Sequence, residues 1–436
     1  MTRSKQPDLV LYILYVALFV SMIGCFRAVS SICTGLLLLA GLFKNKLDTG
    51  SWLSARLYNP FLLACGFFYL LQLLSLLYTP DFNEALKNAQ IKSGLVFIPL
   101  ALCCSYFTTI RVWKRLMKYY VWVMAAGLLY CLVLAIIKYT AGNATSGIFF
   151  YHQLVSPFRQ HAVQVAIYIF IALVYLLEKA ANGYRFYSKT IHALLIVFFI
   201  GCILLLSSKL VISFSVCCLV YYGIRTVKAR IRHRFIFLFS LTAALFMMAM
   251  VLLTRNQVSR RFTEIFSGNL LLVEQPHFNT GIYFNGLQFR LLQWRFVKEI
   301  LSEQHAWISG VGDSAQPLLN QKYTNTGMYT GDARRGDHGY LSYNTHNQFL
   351  QSLLQSGIAG LLAFIVICVT MVQMAMKSPN RQLSVIVILL LAYCFNEAVF
   401  ETQYGLTLFT FFPLFIYYGT ATKETPATAM VRPVAI

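Results

Sequence analysis

The sequence predicts an all-α integral membrane protein of about twelve transmembrane helices, with one long, partly helical loop on the outer side. Three observations predict it. The 436 residues are 58% hydrophobic and only 12% charged, with a mean hydropathy of +0.64, more apolar surface than a soluble domain can bury. The apolar residues form continuous runs rather than the alternating ten-residue segments of a membrane β-barrel, so the spans are helical. Basic residues gather in alternate connections, the pattern of a polytopic bundle.

In chain order, the apolar runs lie near Leu9–Phe26, Ala28–Phe43, Phe61–Thr79, Gly94–Phe107, Tyr119–Ile137 and Ala162–Leu177. They continue at Ile191–Leu206, Leu210–Ile224, Phe235–Leu253, Ile358–Met376, Leu383–Phe400 and Gly405–Thr420. The run at Gly94 is short for a span, which tilt or partial insertion accommodates. Arg3 and Lys5 ahead of the first run mimic a secretory signal, but no small-residue cleavage site follows, so this run reads as the first retained span. With the N-terminus inside, 21 of the 36 Lys and Arg fall on inner segments, six on short outer segments and nine in the long loop. That bias puts both termini in the cytoplasm. The excess of basic over acidic residues is therefore a topology signal, and no nucleic-acid partner is expected. The expected division is a transmembrane bundle of about nine spans at 1–253, a loop or cap at 254–346, about three spans at 347–420 and an inner tail at 421–436.

The loop of about 90 residues is far longer than any other connection, and loops of this length are usually functional. It holds nine basic and seven acidic residues, and its aromatic and Gly-rich character suggests a folded cap rather than a tether. None of the 11 cysteines lies in it, which excludes a disulfide staple and a Cys-ligated metal site there. CxxC, HExxH, Walker and GxGxxG patterns are absent from the sequence, arguing against zinc proteolysis and nucleotide-driven chemistry. No metal or other cofactor is expected.

Several residues stand out as candidates for chemistry. Thr345-His346-Asn347-Gln348 has the form of a capping box, which would place His346 in the first turn of a helix at the outer membrane face, a helix that Gly357 and Gly360 permit to bend into the tenth span. A positive helix end there would keep the imidazole neutral and able to accept a proton. The alternative is an interfacial His that merely hydrogen-bonds the loop. Leu287–Leu301 reads as an amphipathic helix with Leu287, Leu291, Trp294, Val297 and Leu301 along one stripe, and Arg290 within it. A guanidinium among apolar neighbours must reach an anion or water, so Arg290 is either a phosphate ligand or a snorkelling side chain. Arg295, Glu299 and Glu303 fall on the opposite face, in structural ion pairs. Lys209, after Ser207-Ser208 at the outer face, either snorkels or meets a lipid-linked phosphate. Arg159 and His161, ahead of the sixth span, carry the same two readings. Glu397 and Glu401, one turn apart, read as structural partners of Arg or Lys.

The stretch from Tyr343 to Gly360, with His346-Asn347, Leu350-Gln351 and Gly357…Gly360, resembles the signature of the O-antigen ligase and polymerase superfamily. Arg290…Trp294, Gly310-Val311-Gly312, Ser208-Lys209 and Glu397–Gly405 look like further elements of that pattern. The resemblance is specific over about the C-terminal half, while the N-terminal half shares only hydropathy and span number. It implies a GT-C-like glycosyltransferase of the bacterial inner membrane, with its site facing the periplasm. Such an enzyme moves a glycan from a polyprenyl-diphosphate donor to lipid A-core or to another glycan, among membrane lipids. Carried over, His346 would be the base for the acceptor hydroxyl and Arg290 would hold the diphosphate. Lys209 would help to hold it where many relatives have Arg, keeping the charge but losing bidentate geometry. Arg159, His161 and Asn347 are accessory candidates. The expected activity is metal-independent, inverting O-antigen ligation. A polymerase sharing the donor chemistry is the alternative, and a lipid-linked sugar transporter a more remote one.

Overall fold

The computed structural model describes residues 6–421 except 25, 78, 80–81, 230–241, 244–245, 247–248, 250–268 and 333–336. The helices run α1 (Gln6–Gly24), α2 (Arg27–Thr49), α3 (Pro60–Leu74), α4 (Phe82–Lys92), α5 (Gly94–Cys103), α6 (Ile110–Thr140) and a short α7 (Tyr151–Leu154). They continue with α8 (Ala162–Ala181), α9 (Lys189–Leu205), α10 (Lys209–Ala229), α11 (Gly286–Glu303), α12 (Ala315–Asn325), α13 (Gln348–Lys377), α14 (Arg381–Cys394) and α15 (Gln403–Thr420). Among the described residues the one β pairing is a bridge between Asp332 and Asp337. Every predicted apolar run except Phe235–Leu253, which falls largely outside the described residues, overlaps a helix, and the helix of the run Leu383–Phe400 ends at Cys394, short of Glu397. Among the described residues, five helical stretches, Arg27–Thr49, Pro60–Leu77, Ile110–Thr140, Ala162–Ala181 and Gln348–Lys377, are long and apolar enough to cross a membrane. Asp8–Gly24, Lys189–Leu205 and Arg381–Cys394 are apolar but shorter.

Local sequence sets the helix starts. Asn59 caps α3 through the Phe61 amide with Pro60 in the first turn, Ser188 caps α9, and Thr402 caps α15. α8 and α15 are buried on nearly every face and form the centre of the bundle, as helices apolar all round should. α2, α3 and α6 expose Leu36, Leu39, Leu63, Phe67, Leu129 and Val133, the outward faces expected against lipid. The cysteines behave as small apolar packing groups: of those described, all but Cys217 are buried, and none is in a disulfide.

α13 is broken one-third of the way along. Ser356 and Gly357 leave helical geometry, with Gly357 at φ 63°, ψ −159°, so the bend expected at Gly357 is present. The opening made there receives the backbone of residues 307–311: Ile358 N donates to Trp307 O at 2.9 Å and Val311 N to Leu354 O at 2.8 Å. A Cβ on Gly357 would overlap the Ile308 carbonyl, and one on Gly310 the Gln355 carbonyl. This close approach requires glycine at both positions. Below the break α13 packs in the bundle; above it, Leu354 joins a second core with Phe284, Phe289, Leu292, Phe296, Ile300, Leu319 and Tyr323 from the loop. The loop, called the cap for short, thus has a hydrophobic core of its own among the described residues.

Candidate active site

α11 has a capping box, in which Asn285 accepts from Gln288 N and Gln288 Oε1 accepts from Asn285 N. Its buried face differs from the predicted stripe. Phe289, Leu292, Phe296 and Ile300 point into the cap core with Gln293, Val297 and Leu301, while Leu287 and Trp294 are more than one-third exposed. The sequence contains two apolar rows, and the aromatic one packs inward because Tyr323 and Tyr340 face it. Arg290 therefore sits at the edge of the exposed row rather than among buried neighbours. Its Nε and Nη2 donate to Asn396 O at 3.3 and 3.2 Å, and Nη1 donates to Gly286 O at 3.0 Å.

The predicted capping box at Thr345 is not formed. The N-cap of α13 is Asn347, whose Oδ1 accepts from Phe349 N and Leu350 N. Thr345 Oγ1 instead donates to Asn347 O or meets Gln351 Oε1, and Gln348 Oε1 accepts from Phe400 N. Asn347 is thus a helix cap, and His346 precedes the helix rather than occupying its first turn. At φ 44° His346 is in the left-handed region, which costs a non-glycine residue about 1–3 kcal/mol and is typical of functional sites. The Asn344 side chain holds this turn by accepting from His346 N at 3.0 Å.

This turn aims the imidazole at the loop between α14 and α15. His346 Nδ1 lies 2.8 Å from Glu397 Oε2, and Arg290 Nη2 lies 3.6 Å from Glu397 Oε1. Glu397 is thereby shared between the two residues singled out from the sequence. Its reading as a structural partner of a cation holds for Arg290; its bond to His346 was missed. The clue available was an acidic residue at the same outer level as a His, but separations of 51 and 107 positions hide such a contact from local patterns. Burial disfavours a charged Glu397, yet the His346 hydrogen bond, with the charges of His346, His161 and Arg290, holds its carboxyl below the usual carboxylate range. A carboxylate facing Nδ1 favours the tautomer with the proton on Nδ1 and leaves Nε2 to accept one. This contact replaces the helix end expected to tune the ring.

His161 enters the same field as the residue preceding α8, its ring 4.5 Å from that of His152 and 6.2 Å from that of Tyr151. Arg159 is exposed and left-handed at φ 51°, closing the Ser156–Phe158 turn. Tyr151 and Ser207 share that conformation, so backbone strain recurs beside His161 and Lys209. Lys209 is half-buried at the start of α10. Behind α11, Arg295 pairs with Glu299 at 2.7 Å, and Lys322 pairs with Glu299 at 3.0 Å and Glu303 at 2.6 Å, the structural role read from the sequence.

A His with one nitrogen oriented by a carboxylate and the other open, next to an arginine, can take a proton from a hydroxyl while the arginine meets an anion. No curated protein matches the chain. A family model described as O-antigen ligase matches residues 193–365, from α9 through the cap into α13, and includes Lys209, Arg290 and His346. Over those residues the chain is similar to the O-antigen ligase superfamily, membrane glycosyltransferase-like enzymes that act on lipid-linked glycans.

Proposed function

We propose that this protein is an O-antigen ligase of the bacterial inner membrane. It transfers a polysaccharide from polyprenyl diphosphate to lipid A-core at the periplasmic face, by a metal-independent displacement that inverts the anomeric centre. About twelve spans would carry the chain, with both termini in the cytoplasm and residues 254–346 capping the outer face. The observation that carries the reading is the Glu397 carboxylate between His346 Nδ1 and Arg290.

In this mechanism His346 Nε2 takes the proton of the acceptor hydroxyl as its oxygen bonds to the anomeric carbon. The bond from that carbon to the diphosphate oxygen breaks, and the departing diphosphate takes the electron pair. Glu397 keeps the proton on Nδ1 and stabilises the imidazolium that forms. Arg290, already presenting Nη2 at this carboxylate, turns its fork to the diphosphate, a geometry that guanidinium suits. Lys209 supplies a second cation to the same diphosphate, and His161 adds positive charge when protonated. Holding acceptor and donor in line supplies the remaining acceleration.

Deleting the gene and resolving lipopolysaccharide on a gel tests the acceptor. A ligase-deficient strain keeps lipid A-core and accumulates carrier-linked polymer; core bearing a single repeat unit would make the protein a polymerase. Complementation with His346→Ala, at normal membrane levels, should leave the defect in place, and restored lipopolysaccharide would overturn the base assignment. Transfer by purified protein in detergent, with no sealed membrane, would exclude a transporter.

A further inference from the structure

Lys92 ends α4, and by its sequence it is one of the cations of a short outer connection. In the structure it is 3% exposed. Its Nζ donates to Gln72 Oε1 at 2.8 Å and Gln355 Oε1 at 2.7 Å, and lies 3.5 Å from Glu401 Oε1. Gln72 Nε2 in turn donates to Ser356 Oγ at 2.6 Å. A buried ammonium costs several kcal/mol unless its partners compensate it, and here they come from three separate segments.

Two of those segments carry the candidate site. Gln355 and Ser356 lie at the break of α13, on the half-helix that starts directly after His346-Asn347. Glu401 is four residues beyond Glu397, in the connection between α14 and α15. α4 also reaches the cap, where Asn88 Nδ2 donates to Asp313 Oδ1 at 2.9 Å. Stability alone does not call for such a lysine, because well-packed apolar residues commonly replace a buried ion pair at no cost.

We infer that Lys92 is a positioning residue: it ties the broken end of the His346-bearing helix to the Glu397-bearing connection and so fixes the carboxylate against Nδ1. This role rests on the assignment of His346 and Glu397 proposed above. Lys92 does not touch substrate; it acts on kcat through the distance between base and orienting carboxylate.

The test uses the purified full-length protein in detergent. The donor is polyprenyl-diphosphate-linked glycan extracted from the deletion strain, and the acceptor is lipid A-core. Lys92→Met alone would strand the Glu401 charge, so the informative variant is Lys92→Met with Glu401→Gln, which removes the tether and leaves no unpaired ion. We expect kcat per folded molecule to fall about ten- to a hundredfold, as misplacement of a catalytic group does, with the donor KM unchanged. Adding that pair to Glu397→Gln should cause little loss beyond that of Glu397→Gln alone, since both changes act on one contact. A kcat equal to the parent's, or losses that multiply with those of Glu397→Gln, would overturn the positioning role. Full activity of His346→Ala in the same assay would instead overturn the functional reading and this role with it.

Discussion

Replacing Glu397 with Gln probes the mechanism at its centre, because it keeps the shape of the side chain and removes only its charge. The carboxylate faces His346 Nδ1 at 2.8 Å from a connection that buries most of it. A hydrogen bond to a charged group of this kind is worth about 1.5–3 kcal/mol. Lost only in the transition state, where the imidazole becomes charged, it lowers kcat by roughly one to two orders of magnitude. The loss is larger if the amide turns its NH2 toward Nδ1, for the ring must then carry its proton on Nε2 and can no longer act as a base; a comparable Asp-to-Asn change in serine proteases costs about 10,000-fold. Arg290 loses a counter-charge 3.6 Å away, so donor binding should be preserved or slightly tighter. Initial rates of glycan transfer, with size-exclusion chromatography to count folded enzyme, measure this. A Glu397→Gln enzyme within twofold of the parent in kcat would refute the idea that the carboxylate orients the base.

Three further outcomes follow from the same geometry. Arg290→Lys keeps the charge but loses the planar fork, and should reduce transfer at least about tenfold, mainly through weaker hold on the diphosphate; an unchanged rate would return Arg290 to a bond with the Asn396 carbonyl. Glu397 is held below the usual carboxylate range, so its charge should persist through about pH 4.3, where an ordinary glutamate is half-protonated; a Glu397 carboxyl that protonates at or above that pH, read by infrared difference spectroscopy against Glu397→Gln, would contradict its bond to the imidazole. Treatment of the purified enzyme with a chelator should leave its rate intact, and a rate restored by added divalent ions would overturn the metal-independent mechanism.

Much of the fold can be read from the chain because lipid imposes a one-dimensional rule: a span needs a continuous apolar run. The helices over Ala162–Ala181 and Gln348–Lys377 were legible for that reason, as was the break at Gly357. What was not legible depends on partners distant in sequence. α11 offers two apolar rows, and only Tyr323 and Tyr340, supplied by other parts of the cap, decide which is buried. Asn347 beats Thr345 as the cap of α13 because Thr345 is engaged with Gln351. His346 and Arg290 stood out in the sequence as candidates, but the acid that both of them meet lies beyond the family match. Lys92 reads as an ordinary outer cation until Gln72, Gln355 and Glu401 close around it.

The Gly310–Gly357 junction governs how the cap can move. Two backbone hydrogen bonds cross it and no side chain separates the two stretches of main chain, so it works as a clasp that holds the 307–311 segment against α13. Substituting Ala at Gly357 should destabilise the protein by at least about 3 kcal/mol, through a conformation barred to residues with a Cβ and a collision with main chain; an unshifted thermal midpoint would disprove that. The amides of Val311 and Ile358 should exchange with deuterium slowly and together, as one cooperative unit. Any opening of the cap would then leave this rim in place, with residues 307–311 still seated in the break of α13.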